Sequence, residues 1–231
     1  MQKYDMAEFW ARSSDHDFDK SEFKQTLDAL PQCTPEGPWV AGGALRRLIT
    51  GKPVDSDIDF FFRDEEQYAE WVKDVEELGA KKLSSNDHQV TYDLALEIND
   101  WPKGESSFAD AVRGGEVDPF LKRVSVEIQG VHFLFYRDLE QVLDSFDFTI
   151  CQLGYDGDNM YVGDYTLWDL ARKKLALHKL SYGLSTVRRL LKYQTQGFNA
   201  CSGCLTQILE SVARNPELFQ SDNIYVDYLV F

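Results

Sequence analysis

The sequence lacks the features that mark membrane-spanning and secreted proteins. No apolar run approaches the roughly 18–20 residues that a membrane span needs. The N-terminal stretch MQKYDMAEFWARSSDHDFDK contains neither the basic region nor the apolar segment of a secretory signal. The chain has only 4 Cys among its 231 residues, too few for a disulfide framework. We therefore expect a cytoplasmic protein that has reduced cysteines and does not bind membranes.

The cysteines also lack the spacing of a zinc site. CSGC at residues 201–204 has the Cys-x-x-Cys spacing, but neither a second such pair nor a His cluster accompanies it. We interpret Cys201 and Cys204 as ordinary reduced cysteines.

Positive charge is scarce. The chain has 24 Lys and Arg against 39 Asp and Glu, which gives a net charge of −15. An acidic surface repels phosphate backbones, so non-specific binding to nucleic acids should be weak. Residues 172–209 are the exception, since they contain Lys and Arg but no Asp or Glu. Within them, Arg189 and Lys192 share one face of a predicted helix, which is either a solvated basic face or a surface that binds an anion.

The composition is sufficient for a large core, with 43% hydrophobic and 13% aromatic residues. Alternating and helical patterns predict an α+β fold, in which a mixed sheet with flanking helices precedes a small helical C-terminal region. We predict a first domain at residues 1–180 and a helical, neck-like region at residues 181–231. The polar, Gly-containing stretch at residues 101–120 is predicted to be a surface insertion.

The most informative segment is WVAGGALRRLITGKPVDSDIDFFF. Residues of a strand alternate between its two faces, so Asp57 and Asp59 should project together. Paired carboxylates suit Mg²⁺, which prefers oxygen ligands. Asp55 has the same parity, but we assign it to the turn before the strand.

A Gly-Gly pair precedes these aspartates. Gly42 and Gly43 are predicted to open a helix, where free backbone N–H groups and the missing side chains favour a bound phosphate. By itself, each motif has a simpler explanation: a tight turn for the glycines and a solvated strand edge for the aspartates. The combination of both motifs is more specific than either one.

This segment resembles the nucleotidyltransferase fold of the DNA polymerase β superfamily. It is most similar to the head domain of CCA-adding tRNA nucleotidyltransferases and bacterial poly(A) polymerases, which have Gly-Gly-x-x-Arg, a short helix and then Asp-x-Asp on a strand. Two later segments, FDFTICQLGYDG and TVRRLLKYQTQGF, also resemble that family. The resemblance implies transfer of a nucleoside monophosphate from an NTP to a hydroxyl of an RNA 3′ end, a protein or a small molecule.

The resemblance also implies residue roles. Asp57 and Asp59 would be catalytic and bind Mg²⁺ or Mn²⁺. The residues that would bind the nucleotide are Gly42, Gly43, Arg46, Asp147, Arg189 and Lys192.

The superfamily has a third carboxylate on a later strand beside this pair. If Gln129-Gly130 turns a hairpin between VSVEI and VHFLFY, the second arm puts His132 at that place. Glu127 would take it only in a different register. A histidine there, together with the acidic net charge, favours an alternative: a degenerate, non-catalytic protein that binds a nucleotide, RNA or a protein partner.

Overall fold

The computed structural model describes residues 1–7, 10, 18–51, 56–99, 121–181 and 183–214. Asp55 and the insertion predicted at residues 101–120 lie outside the described residues. No helix in the described ranges is long and apolar enough to cross a membrane.

The chain forms two compact units. The first unit contains Met1–Leu143 and Cys151–Asp164, and the second contains Asp144–Ile150 and Tyr165–Phe231. The domain boundary predicted near residue 180 falls within the second unit.

An eight-stranded mixed sheet forms the framework of the first unit. Its strands are β1 (Gln2–Asp5), β2 (Trp39–Ala41), β3 (Ile58–Phe61), β4 (Lys81–Ser85), β5 (Gln89–Asn99), β6 (Leu121–Val131), β7 (Leu153–Tyr155) and β8 (Asn159–Val162). Their order is β1-β8-β7-β2-β3-β6-β5-β4, in which β3 and β6 run parallel and the other neighbours are antiparallel. The flanking helices are α1 (Phe18–Ala29), α2 (Gly43–Ile49), α3 (Glu65–Glu77) and α4 (Leu139–Asp144). This architecture confirms the predicted α+β fold.

Helix α3 covers one face of the sheet through an aromatic cluster. The Trp71 ring lies 5.2 Å from the Phe60 ring, 5.4 Å from Phe62 and 6.1 Å from Tyr92, measured between centroids. Gly130 on β6 leaves room for this ring, because a Cβ atom there would lie 2.5 Å from a Trp71 ring carbon. The neighbouring Phe61 is also buried, so all three consecutive phenylalanines after Asp59 belong to the core.

Helices α3 and α4 begin with the same capping arrangement. At α3, Asp64 accepts the Gln67 backbone N–H at 2.9 Å, and the Gln67 side chain accepts the Arg63 N–H at 2.9 Å. These reciprocal bonds satisfy donors that a helix start leaves unpaired. At α4, the equivalent residues are Asp138, Gln141 and Arg137.

The second unit is mainly helical, as predicted for the C-terminal region. Its elements are α5 (Thr166–Ala171), β9 (Lys174–Leu175), α6 (Gly183–Thr195), β10 (Asn199–Ala200) and α7 (Ser202–Arg214), with β9 and β10 parallel. Tyr193 packs against Phe148 at 5.7 Å and Phe198 at 6.4 Å between ring centroids. Gly197, with φ of 87°, ends α6 and lets the Phe198 N–H reach the Tyr193 carbonyl at 3.1 Å.

Candidate functional site

Asp57 and Asp59 lie on the same face of the sheet. Asp59 is within β3, and Asp57 directly precedes this strand. Both side chains are half-buried, whereas Ile58 and Phe60 are fully buried on the opposite face. This alternation agrees with the predicted strand and leaves both carboxylates accessible on one side.

The Gly-Gly turn lies at the same edge of the sheet as the aspartates. Asp59 pairs with Ala41, the last residue of the antiparallel strand β2. Gly42 follows with φ of 95°, which favours glycine, and α2 begins at Gly43. A Cβ atom at Gly43 would have Ser56 Oγ, 3.8 Å away, as its nearest neighbour. The backbone at Gly43 is therefore open to the close approach of a ligand.

Ser56 belongs to the candidate site, although no sequence motif indicates it. Its Oγ atom is buried and has no hydrogen-bond partner in the described parts of the chain. A buried hydroxyl is ordinarily hydrogen-bonded, so this one is available to a ligand atom beside Gly43. Its position directly before Asp57 is the only sequence signal for this role.

Two arginines follow the Gly-Gly turn on α2. Arg46 is buried, about one helical turn beyond Gly42, and Arg47 is half-buried. Burial, and then the charge of Arg46, lower the pKa of Arg47. The expected contact of Arg46 with a triphosphate stays a prediction.

The strand beside the aspartates places Gln129 next to Asp59. Strand β6 runs parallel to β3 and pairs Gln129 with Asp59. It continues through Gly130 without a turn, so the predicted hairpin is wrong. His132 lies beyond the end of β6, where its ring stacks on Tyr68 with centroids 4.6 Å apart. Placing His132 at the third-carboxylate position is therefore also wrong.

Gln129 contacts one of the metal-ligand candidates directly. Its Nε2 atom donates a hydrogen bond to Asp57 Oδ2. Glu127, two residues earlier on β6, is exposed on the same face and pairs with Asp93 on β5. The described residues nevertheless contain no group of three or more His, Cys, Asp or Glu side chains that could hold a metal.

The donor set fits one divalent ion that a nucleotide helps to bind. Asp57 and Asp59 supply hard carboxylate oxygens, and phosphate oxygens and water would complete the coordination of Mg²⁺ or Mn²⁺. Gln129 supplies no third negative charge. The residues therefore fit a metal–NTP complex better than a pair of ions held by protein alone.

The other candidates belong to the second unit. Asp147 is only 5% exposed, and its Oδ2 atom accepts a hydrogen bond from Arg189 Nη1 at 2.9 Å. Lys192 is exposed on α6. The structure thus joins Asp147 and Arg189 in an ion pair within the second unit, and it brings Gly42, Gly43, Asp57 and Asp59 together within the first.

Solved structures of CCA-adding enzymes resemble this chain. A CCA-adding enzyme in complex with CTP has a TM-score of 0.56 and 16% identity, and the match covers 96% of this chain and 49% of that one. The Thermotoga maritima CCA-adding enzyme in complex with tRNA has a TM-score of 0.50 and 17% identity, covering 93% of this chain and 47% of that one. At such identities the likeness shows the nucleotidyltransferase fold. The chain spans about half the length of these enzymes.

A phage protein resembles part of the sequence. It is described as Gabija anti-defense 2 of Bacillus phage SPbetaL7, and it is 22% identical over 117 residues. Those residues form 51% of this chain but only 22% of the phage protein. The family model described as Gad2, Gabija anti-defense 2 family protein, matches residues 1–173, which include Gly42, Gly43, Asp57, Asp59 and Gln129. Because that match extends over well more than half of the sequence, the chain belongs to the Gabija anti-defense 2 family.

Proposed function

We propose that this protein is a metal-dependent nucleotidyltransferase. It moves a nucleoside monophosphate from an NTP to an acceptor hydroxyl and releases pyrophosphate. The observation that carries the proposal is the pairing of Asp59 with Ala41, because the Gly-Gly turn and both aspartates then share one edge of the sheet. In keeping with the name of its family, this activity counteracts Gabija.

Each residue of the site has a distinct proposed role. Asp57 and Asp59 hold Mg²⁺ or Mn²⁺, which when bound stabilises negative charge on the phosphate oxygens. Gly43 lets a phosphate approach the backbone, and the Ser56 hydroxyl donates a hydrogen bond to a phosphate oxygen. Arg46 adds positive charge on α2 next to this turn.

The acceptor is the hydroxyl of an RNA 3′ end, a protein side chain or a small molecule. The CCA-adding structures contain CTP in one case and tRNA in the other. CTP and RNA are therefore the first donor and acceptor to test here. The chain spans only about half of those enzymes.

Gln129 favours a second candidate function. The residue beside Asp59 on β6 is a neutral amide and not an acid, and it donates a hydrogen bond to Asp57. A site that holds one metal with a nucleotide, and lacks the acid that would help activate the acceptor, suits a protein that binds NTP without turnover. In that case the protein would act by sequestering the nucleotide or by binding to a partner.

One assay separates the two functions. The protein is incubated with each α-labelled NTP and with Mg²⁺ or Mn²⁺, and both pyrophosphate release and label transfer to RNA and protein are measured. Asp59→Asn should abolish both signals. Asp93→Asn is the matched control, because it removes a carboxylate from the same sheet face, two strands away, and should retain activity.

Each outcome has a distinct meaning. Intact NTP recovered from a stable complex, with no pyrophosphate under either metal, would overturn the enzyme proposal in favour of NTP binding. Absence of any NTP binding would overturn both. If transfer serves anti-defence, bacteria carrying Gabija should lose protection when they express the parent protein but keep it with Asp59→Asn.

A further inference from the structure

Helix α7 begins with a cysteine pair that the proposed function does not use. Cys201 directly precedes α7, and Cys204 lies in its first turn. The Cys204 backbone N–H donates a hydrogen bond to Cys201 Sγ at 3.3 Å, so this sulfur caps the helix. Both residues are free thiols, and both lie beyond the 1–173 segment that the family model matches.

The two thiols differ in exposure. Cys201 is exposed, whereas Cys204 is only 2% exposed. Burial, and then the charge of Cys201, raise the pKa of Cys204 to about 11. The sulfur of Cys201 lies next to Gly203, since a Cβ atom built there would be 3.9 Å from it. The Cys201 thiol is therefore accessible to solvent, whereas the Cys204 thiol is buried.

We propose that Cys201 and Cys204 form a reversible dithiol–disulfide pair, in which Cys201 attacks a small-molecule disulfide and Cys204 resolves the product. Three observations carry this assignment: the backbone N–H donated to Cys201 Sγ, the contrast in exposure, and the Cys-x-x-Cys spacing at a helix start. The N–H bond to sulfur places the two residues in contact, and the exposure of Cys201 lets its sulfur meet a disulfide in solution. A buried second cysteine is protected from reagents in solution but remains next to the first.

Oxidised glutathione illustrates the chemistry. The Cys201 thiolate attacks one of its sulfurs, which forms a mixed disulfide and expels a glutathione thiolate. Cys204 then gives its proton to water and attacks the Cys201 sulfur. This closes the Cys201–Cys204 bond and releases the second glutathione. The protein loses two electrons and two protons, and oxidised glutathione gains them.

The local geometry allows this bond. Cys201 Sγ accepts the Cys204 backbone N–H at 3.3 Å, so the two residues are already in contact where α7 begins. A disulfide needs Cβ atoms about 3.5–4.5 Å apart, and the adjustment that this requires is confined to the start of the helix.

The remaining cysteines serve as internal controls. Cys33 and Cys151 are both buried in the first unit. Burial raises the pKa of the Cys33 thiol to about 12. They should therefore stay reduced while Cys201 and Cys204 react.

The test measures thiol oxidation in the full chain. Reduced protein is equilibrated with oxidised and reduced glutathione at a series of ratios, quenched with acid, unfolded and labelled with a maleimide. Mass spectrometry then counts the labels, and peptide mapping locates them. Two of the 4 thiols should disappear together, with a Cys201–Cys204 link and both other cysteines labelled.

Single variants test the order of the steps. Cys204→Ser should stop at the mixed disulfide and carry one glutathione on Cys201, whereas Cys201→Ser should keep all its remaining thiols. Full labelling of Cys201 and Cys204 in the parent at every ratio would overturn the proposal. So would oxidation of Cys201→Ser to the same extent as the parent at the same glutathione ratio. The peptide map of the parent decides the matter even if the Cys204 variant folds poorly.

Discussion

Gln129 lies directly opposite Asp59 where β6 runs parallel to β3. Its amide also donates a hydrogen bond to Asp57, so it contacts one aspartate and neighbours the other. A third carboxylate at this place would add negative charge to a metal site and would repel both aspartates when metal is absent. The amide instead holds Asp57 in position without adding charge. A substitution at residue 129 therefore tests the metal site of the proposed function directly.

Gln129→Glu is the first prediction. Because it adds a hard anionic ligand beside Asp57 and Asp59, it should increase Mg²⁺ affinity in the presence of NTP on the order of tenfold, an effect typical of groups that support metal ligands. Without metal, three carboxylates would repel one another, so the melting temperature should fall and recover when Mg²⁺ is added. Metal titration and thermal denaturation measure the two effects.

Gln129→Ala is its control. It removes the hydrogen bond to Asp57 without adding charge, so the melting temperature should not depend on Mg²⁺ more than in the parent. If Gln129→Glu has the same Mg²⁺ affinity and the same metal-dependent stability as the parent, then residue 129 is not part of a metal site.

The sequence pattern located the aspartates because strand alternation is a local property. Because Ile58 and Phe60 face the core, strand alternation puts Asp57 and Asp59 on the opposite face. The prediction for β6, the strand beside them, is wrong because it depends on a contact with a distant part of the chain. Gln129-Gly130 looks like a hairpin turn, but the glycine is required by the Trp71 ring, which packs on it from α3.

The predicted hairpin also misplaces His132. A turn at Gly130 would end the strand there and put every later residue, His132 included, on a new strand. The pairing of Arg189 with Asp147 was equally hidden, because the two residues are 42 positions apart. Composition and spacing identify candidate charges, but only tertiary packing determines which of them neutralise each other. Ser56 has no sequence signal for the same reason, since the burial of its hydroxyl, without a partner among the described residues, is a property of the folded chain.

Gly43→Ala is the second prediction. The added methyl group would meet nothing nearer than 3.8 Å, so the fold should tolerate it. The same methyl group would stand where a phosphate approaches the backbone, so the Kd for metal–NTP should rise roughly tenfold, equivalent to about one charge-assisted hydrogen bond. Calorimetric titration with NTP and Mg²⁺ measures this change.

Gly203→Ala is the matched control, because it also adds a methyl group in the first turn of a helix where the nearest atom is 3.9 Å away. It should leave the NTP affinity unchanged. Equal affinities for the parent, Gly43→Ala and Gly203→Ala would show that the Gly-Gly turn does not bind phosphate.

The third prediction concerns the ion pair of the second unit. Arg189→Ala removes the guanidinium that the buried Asp147 carboxylate contacts, so the free energy of unfolding should fall by about 1.5–3 kcal/mol. The double variant Arg189→Ala/Asp147→Ala should lose less than the two single variants combined, because the pair is coupled. Chemical denaturation of the full chain measures all three. Strict additivity would contradict the coupling.

Lys192→Ala, on the same helix, tests whether this lysine contributes to ligand binding without contributing to stability. Lys192 is exposed, so its removal should change the free energy of unfolding by less than about 0.5 kcal/mol. If this face of α6 binds a nucleotide or RNA, the affinity should fall and its salt dependence should become shallower. Unchanged affinity and salt dependence would make Lys192 a solvated charge only.

The last prediction follows from the paired caps of α3 and α4. The Gln67 backbone N–H, and then Arg63, lower the pKa of Asp64. Arg137, and then the Gln141 backbone N–H, lower the pKa of Asp138. As the pH falls, these carboxylates bind protons near pH 4 in the unfolded chain but only at lower pH in the folded chain. Their stabilising effect is therefore complete above about pH 5 and is lost as the pH falls through the lowered pKa values.

Replacing both caps by asparagine should flatten this acid transition. Asn still accepts the helix N–H but does not titrate, so the melting temperature of Asp64→Asn/Asp138→Asn should fall less between pH 5 and pH 2 than that of the parent. Asp64→Ala/Asp138→Ala is the control, since it removes the caps themselves and should lower the melting temperature already at pH 7. A parental slope in the asparagine variant would mean that other carboxyl groups govern acid unfolding, because the caps would then contribute equally in both protonation states.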